Sequence, residues 1–177
     1  MTTAPADGTA AATAPATVAV LGLGAMGLPM ATNLSKGFAV RGFDIASERL
    51  ALAERAGVAP AATAAEAVSG ADVVLVAVRD QAQLEELLFG EGGIAPHMAR
   101  GAVVLLTSTV GGAGVRAVAP RLAEAGLRFV DAPVSGGPAR AGDGDLLVVV
   151  GADDGAWAAA EDVLEAMAST LVRVGDA

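Results

Sequence analysis

Short apolar runs recur along the chain, and segments of helical periodicity separate them. Strands are predicted at 18–21, 39–43, near 58, and at 72–78, 102–106, 127–130, 146–150 and 171–174. Helices are predicted at 25–36, 47–56, 63–68, 81–88, 113–125 and 153–168. The run from Val73 to Val78 is apolar throughout, which is typical of a parallel strand covered on both faces. Strands that alternate with helices in this way predict an α/β fold with a doubly wound, mostly parallel sheet.

Three glycines follow the first predicted strand with the spacing Gly22-x-Gly24-x-x-Gly27. In a dinucleotide-binding turn the first permits the sharp exit from the strand, the second lets the backbone approach a pyrophosphate, and the third lets the helix pack on the sheet. The helix start then presents free N–H groups to a phosphate. An ordinary strand-turn-helix is the alternative, because the chain has 23 glycines. The context favours a Rossmann-type fold.

The second predicted strand ends at Asp44, about 20 residues beyond the start of the glycine motif, where a dinucleotide fold places the acid that binds the adenosine ribose. A carboxylate there favours NAD, because the 2′-phosphate of NADP would meet a like charge. A turn acid or the N-cap of the next helix is the alternative, although Ser47 suits that cap better. We therefore predict that NAD is the cofactor and that NADP binds less well.

Polar residues also follow other predicted strands, at the edge where open α/β sheets bind their ligands. Arg79 follows the strand 72–78, and a run of three hydroxyl residues that ends at Thr109 follows the strand 102–106. His97, the one histidine, has no nearby carboxylate or second ligand in the sequence. We assign it no catalytic role and predict no metal site.

Composition and charge exclude several classes of partner. A net charge of −9 with no basic run makes nucleic acid an unexpected partner. The absence of cysteine excludes a disulfide framework and fits a cytoplasmic location. No apolar stretch is long enough for a membrane span. Residues 1–16, rich in Ala, Thr and Pro, are predicted to be a disordered leader, and residues 17–177 to form one domain.

Two motifs identify a family resemblance. The segment from Gly22 to Leu34, GLGAMGLPMATNL, and the segment from Asp131 to Gly137, DAPVSGG, resemble the N-terminal signature and the substrate motif of the β-hydroxyacid dehydrogenases. That family includes 3-hydroxyisobutyrate dehydrogenase, tartronate semialdehyde reductase and relatives of 6-phosphogluconate dehydrogenase. The segment 88–93, Ser108-Thr109-Val110 and Asp145 are further similar to its L-threonate dehydrogenase branch.

The resemblance implies a role for each candidate site residue. The implied cofactor-binding residues are Gly22, Leu23, Gly24, Ala25, Met26 and Gly27 at the pyrophosphate, Asp44 at the adenosine ribose, Val78 and Arg79 on the adenine–ribose side, and Thr109 by the nicotinamide ribose or the substrate. Ser135, Gly136 and Gly137 would bind the substrate carboxylate, because a hydroxyl and successive N–H groups form a small anion-binding concavity. A solvated Arg79 and a flexible turn at 135–137 are the alternatives.

The family's catalytic residue is a lysine on the helix after the Rossmann domain, where it passes a proton to or from the substrate oxygen. The resemblance implies that this lysine lies beyond Ala177. The one lysine of this chain, Lys36, ends the first helix, so we assign no catalytic residue within the 177 residues. We expect the family's C-terminal helical domain to be absent, and the chain to bind NAD without turning over a small hydroxy acid. The apolar face that this domain would cover could support a homo-oligomer.

Two hypotheses follow from these expectations. The chain is the NAD-binding part of a β-hydroxyacid dehydrogenase, or it is a stand-alone nucleotide-binding module or a half-enzyme that needs a partner chain. Imine reduction within the same fold ranks last, because the substrate loop is of the hydroxyacid type.

Overall fold

Nine strands form one sheet in the computed structural model, which describes residues 16–177. The strands are β1 (Thr17–Leu21), β2 (Ala39–Phe43), β3 (Ala59–Pro60), β4 (Val73–Val76), β5 (Val103–Leu106), β6 (Arg128–Asp131), β7 (Val134–Ser135), β8 (Leu146–Gly151) and β9 (Ala168–Gly175). Their order is β3-β2-β1-β4-β5-β6-β8-β7, with β9 paired to β8. The predicted leader, residues 1–16, lies outside the described residues except for Ala16.

Seven helices connect the strands of the described region. They are α1 (Gly27–Leu34), α2 (Ser47–Arg55), α3 (Ala64–Val68), α4 (Gln81–Phe89), α5 (Gly111–Glu124), α6 (Gly137–Asp143) and α7 (Asp154–Met167), with one 3-10 turn at Ala95–His97. Every pair from β3 across to β6 is parallel. The predicted α/β architecture with a doubly wound, mostly parallel sheet is therefore confirmed.

The continuous apolar runs arise because both faces of the central strands are covered. Along β4, Val73 and Leu75 pack on one face and Val74 and Val76 on the other, and all four side chains are fully buried. Helices α1 and α7 cover the first face, and helices α3, α4 and α5 cover the second. Full burial of each such side chain stabilises the fold by about 1.5–3 kcal/mol, so the central strands are a rigid platform for the loops at their ends.

The prediction is incomplete between residues 131 and 146. Strand β8 runs antiparallel to β6 and β7, with Val134 opposite Val148 and Ser135 opposite Leu147. The segment after β6, which the sequence predicted only as a motif, forms the short β7 and the helix α6. Ala141 of α6 is buried in the hydrophobic core. The candidate substrate motif therefore lies at a reversal of strand direction.

Candidate functional site

The glycine loop joins β1 to α1 with close backbone contacts. Gly22 has a φ of +91°, and a Cβ atom built on it would lie 2.3 Å from the carbonyl oxygen of Ala77. A Cβ atom on Gly27 would lie 1.8 Å from the carbonyl oxygen of Gly22. Neither backbone oxygen can retreat as a flexible side chain would, so these two glycines are required by the turn itself.

The middle glycine faces open space. A Cβ atom on Gly24 would meet nothing within 4 Å. No described residue accepts a hydrogen bond from the backbone N–H groups of Gly24, Ala25, Met26 and Gly27. Four N–H donors without a partner among residues 16–177, at the start of a helix, form an anion-binding geometry that suits a pyrophosphate.

The Asp44 carboxylate is bound to the glycine loop. Its Oδ2 atom accepts a hydrogen bond from the backbone N–H of Leu23 over 2.7 Å, and its Oδ1 atom accepts one from Ala46 over 2.9 Å. The Leu23 side chain is buried in the core, so only its backbone faces the site. Each carboxylate oxygen can accept a second hydrogen bond, which leaves Asp44 able to bind a ribose hydroxyl as well.

The residues after β4 and β5 are joined by side-chain hydrogen bonds. Ser108 Oγ donates to the carbonyl oxygen of Val78 over 2.7 Å, and Thr107 Oγ1 donates to that of Val76 over 3.1 Å. Two of the three hydroxyls at the end of β5 therefore hold this strand to β4. Thr109, the third of these residues, is exposed, and its hydroxyl is therefore the one that is available to a ligand.

Arg79 and Asp80 lie at the start of α4. The backbone N–H of Arg79 donates to Gln83 Oε1 over 3.0 Å, and its side chain is exposed. Asp80 caps the helix, because Oδ1 accepts from the backbone N–H of Gln83 over 2.9 Å. The exposed guanidinium can reach a ligand or solvent, and the geometry permits both interpretations of Arg79.

Ser135, Gly136 and Gly137 connect β7 to α6. Ser135 and Gly136 are exposed, and the two glycines have φ values of +146° and +77°. Pro138 follows in the first turn of the helix, where its missing N–H costs nothing. This glycine turn leaves a hydroxyl and backbone N–H groups open to solvent.

Strand topology brings most of the predicted residues to one edge. Strands β2, β1, β4 and β5 are parallel neighbours, so the residues that follow them share the carboxyl edge of the sheet. The glycine loop, Asp44, Val78, Arg79 and Thr109 all follow these strands. Ser135, Gly136 and Gly137 lie farther along, beyond β6, where the parallel strands meet the antiparallel ones.

Two residues at this edge were not predicted as site residues. Ile45, next to Asp44, has 92% of its side chain exposed. An exposed large apolar side chain beside the acid predicted to bind a ribose offers a surface on which an aromatic base can pack. In the sequence, its position directly after Asp44 was the feature that could have identified it. Asp131 ends β6, and partial burial raises the pKa of its carboxyl above the ordinary value. In the sequence, Asp131 could have been identified because it is the first residue of the DAPVSGG motif.

Lys36 lies away from this edge, beyond the last residue of α1. Its ammonium donates to Asn33 Oδ1 over 3.1 Å and to the carbonyl oxygen of Gly142 over 3.2 Å. Gly142 is in the last turn of α6, so the lysine charge lies at the negative end of that helix. Asn33 Nδ2 also donates to the carbonyl oxygen of Ala166 in α7. This network packs three helices together.

Ala177 lies beside the last residue of β8. A Cβ atom built on Gly151 would lie 3.3 Å from the Cα atom of Ala177, and Ala177 itself is exposed. Gly151 is the register partner of Asp131, so Ala177 is close to the end of β6 and the motif that begins there. The position of the family's catalytic lysine beyond Ala177 stays a prediction, because the described residues are 16–177.

Asp145 also has a structural partner. Its carboxylate forms a half-exposed ion pair with Arg140 over 2.9 Å. The hydrogen bond from Arg140, followed by one from Ser169, lowers the pKa of Asp145. The acid that resembles the L-threonate dehydrogenase branch is thus paired with Arg140 of α6.

Two classes of site are absent from the part of the chain that the structure describes. Within residues 16–177, no group of three or more His, Asp or Glu side chains could hold a metal ion. No helix of those residues is long and apolar enough to cross a membrane.

A profile of the NAD binding domain of 6-phosphogluconate dehydrogenase matches residues 17–175. An L-threonate dehydrogenase from Cupriavidus necator is 42% identical over 161 residues, which are 90% of this chain and 54% of that protein. An NAD-dependent L-serine dehydrogenase from Pseudomonas aeruginosa is 38% identical over 159 residues, 89% of this chain and 53% of the relative. The chain spans about half the length of these curated relatives.

A solved structure is also similar to this chain over about half of its own length. The 3-hydroxyisobutyrate dehydrogenase of Mycobacterium tuberculosis, solved with L-serine, superposes with a TM-score of 0.87 at 34% identity. The match covers 92% of this chain and 55% of that one. The described fold therefore matches about half of a solved dehydrogenase structure.

Proposed function

Because the chain belongs to the family of the NAD-binding domain of 6-phosphogluconate dehydrogenase, we propose that it holds NAD, in preference to NADP, through the glycine loop and Asp44. The observation that carries this proposal is the set of four N–H groups at Gly24–Gly27 without a described acceptor. One of these residues is Gly24, where a Cβ atom would meet nothing within 4 Å, so the space in front of these N–H groups is open. Backbone N–H groups bind a pyrophosphate without a positive side chain, which suits a protein with a net charge of −9.

Asp44 is proposed to bind the adenosine ribose and to exclude the 2′-phosphate of NADP. Its carboxylate already accepts two backbone hydrogen bonds, so its position is held before the cofactor arrives. A phosphate group placed next to it would meet a like charge, and the neighbouring Ile45 offers no cation to offset that charge. Val78 and Arg79 line the adenine–ribose side, and Thr109 binds near the nicotinamide ribose.

The substrate is proposed to be a small hydroxy acid whose carboxylate binds at Ser135, Gly136 and Gly137. The exposed hydroxyl and the glycine turn support this role, because both are open to solvent beside the cofactor edge. Relatives named for L-threonate and L-serine act on carboxylates that also carry hydroxyl groups. An L-threonate-like substrate is the narrower form of the proposal, supported by Asp145 and by the L-threonate dehydrogenases among the relatives.

NAD, when bound, supplies the hydride acceptor for oxidation of an alcohol carbon. The residues of this chain would position the two reactants, and a proton acceptor for the alcohol is still needed. Lys36 does not suit that role, because its ammonium is held by Asn33 and the Gly142 carbonyl. We therefore propose that the 177 residues bind NAD without appreciable turnover.

A stand-alone nucleotide-binding module, or a half-enzyme that takes its proton-transfer residue from a partner chain, is the second candidate function. The engagement of Lys36, the one lysine of the sequence, favours it over an isolated active enzyme. Association into a homo-oligomer and a cytoplasmic location remain part of the proposal, and light scattering and cell fractionation would test them.

Calorimetric titration of the 177-residue protein with NAD and with NADP tests the proposal. We expect NAD to bind more tightly, and binding of neither cofactor would refute the proposal. A parallel assay follows NADH production with L-threonate, L-serine or 3-hydroxyisobutyrate as substrate. Rapid NADH production by the purified chain would refute the claim that it lacks turnover.

A further inference from the structure

A cavity lies at the end of the sheet opposite the glycine loop. It has a volume of about 380 Å³ and is bordered by the segments that precede β4 and β5 and by the first residue of β6. Because these strands are parallel, their amino ends share one edge, and the dinucleotide residues lie at the other. We name this space the strand-start cavity, and its charged lining residues are Asp72, Arg100 and Arg128.

The two arginines of the strand-start cavity have no ion-pair partner among residues 16–177. The ion pairs of that region are Arg140 with Asp145 and Arg173 with Asp154. Eight of the ten arginines form no ion pair within that region, and Arg100 and Arg128 differ from the other six in lining one cavity together. A guanidinium is most stable when its fork of N–H donors meets an oxyanion.

The remaining lining leaves room for such an anion. The carboxylate of Asp72 is engaged, because Oδ2 accepts from the backbone N–H of Thr17 over 2.8 Å. The Arg100 guanidinium lies against Gly126, since a Cβ atom there would be 2.8 Å from Cζ of Arg100. Arg100 and Arg128 are exposed, and together with the Asp72 carboxylate they leave the cavity with one net positive charge, which attracts an anion. The rest of the lining is a wall of small residues, mostly alanine, at Ala71, Ala99, Gly101, Ala102 and Ala159.

We propose that the strand-start cavity binds a small ligand with two or more negative charges on phosphate or carboxylate oxygens, separately from the cofactor. Arg100 and Arg128 supply the charge-assisted hydrogen bonds, and the alanine wall excludes water from one side of the ligand. The cavity at the amino ends of the strands and the dinucleotide edge at their carboxyl ends allow both ligands to bind together.

Calorimetric titration of the full 177-residue chain with pyrophosphate, and separately with malonate, tests the proposal. Each titration is made with saturating NAD, so that the glycine loop is already filled. We expect saturable binding of at least one probe, and the preferred probe distinguishes a phosphate from a carboxylate ligand. Arg100→Gln and Arg128→Gln should each weaken that binding about tenfold or more.

Arg116→Gln is the matched control, because Arg116 is an exposed arginine on α5 that does not line the cavity. It should leave the affinity for both probes unchanged, and all three variants should keep the wild-type affinity for NAD. Equal losses in all three variants, or no binding of either probe in the presence of saturating NAD, would overturn the proposal. So would binding of a tetraglutamate peptide alone, which would assign the cavity to an acidic protein segment.

The same measurements separate this proposal from the cofactor assignment. If NAD itself does not bind, the proposed function fails. Pyrophosphate binding that Arg100→Gln and Arg128→Gln weaken would then still support the cavity.

Discussion

The backbone N–H of Leu23 donates to the Asp44 carboxylate over 2.7 Å, although the two residues belong to different strand ends. The acid predicted to bind a ribose is therefore also a support for the loop predicted to bind a pyrophosphate. Any change at Asp44 acts on both groups of the cofactor.

Asp44→Asn should reduce NAD affinity about tenfold and the free energy of unfolding by about 1–2 kcal/mol. An amide has one acceptor oxygen, so one of the two backbone N–H groups loses its partner. Calorimetry and denaturant unfolding measure the two effects. Asp72→Asn is the control, because Asp72 also accepts a backbone N–H but at the opposite end of the sheet. Equal losses of NAD affinity in both variants would contradict the role of Asp44.

Ile45→Arg should raise the affinity for NADP several-fold and leave that for NAD nearly unchanged. Ile45 is 92% exposed beside Asp44, so an arginine can extend there without repacking the core and can pair with a 2′-phosphate. Binding titrations of both cofactors to the variant test this. An unchanged ratio of the two affinities would show that the ribose end of the cofactor lies elsewhere.

Gly27→Ala and Gly24→Ala should affect different properties. At Gly27 the new methyl group would collide with the Gly22 carbonyl oxygen, so we expect the free energy of unfolding to fall by about 2 kcal/mol or more. At Gly24 the methyl group meets no protein atom within 4 Å, so stability should hold while NAD affinity falls. Gly37→Ala, also in open space, should change neither property. Destabilisation by Gly24→Ala equal to that of Gly27→Ala would contradict this division.

Ser108→Ala should lower the free energy of unfolding by about 1 kcal/mol, because the Val78 carbonyl loses its donor. Thr109→Ala removes an exposed hydroxyl and should leave stability unchanged while it weakens NAD binding several-fold. Thermal unfolding and NAD titration of both variants distinguish the structural hydroxyl from the ligand-binding one. The reverse pattern would exchange their roles.

Asp131→Asn should alter how stability depends on pH. Burial raises the pKa of Asp131 above its ordinary value of 3.8, so the folded chain retains a proton that the unfolded chain has already lost. The free energy of unfolding therefore falls as pH rises from about 4 through the raised pKa, and then levels off. The variant cannot titrate and should lack this fall. Denaturant unfolding from about pH 3 to about pH 7 measures the difference, and identical pH profiles would refute the assignment.

The sequence predicted the central parallel strands well because their side chains are buried on both faces. Val73–Val76 and Val103–Leu106 consist only of apolar residues, and a parallel strand covered by helices requires this. The glycine spacing likewise predicted the turn between β1 and α1, where Gly27 lies against Gly22. The contact of Gly22 with Ala77, which follows β4, is an addition that the spacing alone does not show.

The region after β6 could not be predicted in the same way. Helix α6 has the sequence GPARAGD, whose glycines and aspartate have low helix propensity, and it forms where Ala141 packs into the core. Strand β7 has two residues and owes its conformation to pairing with β8. The hydrogen bond of Asp44 to Leu23 was also beyond the sequence, because it joins positions 21 residues apart. Tertiary contacts decide all three features.

The close packing of Gly27 against the Gly22 carbonyl also determines which positions can be mutated to change the cofactor specificity. Two of the three motif glycines are constrained by each other and by Ala77, whether or not a nucleotide is bound. In a library that randomises the whole loop, most variants would therefore fail to fold. Diversity placed at Gly24, Asp44 and Ile45 would instead explore alternative nucleotides on a scaffold that still folds.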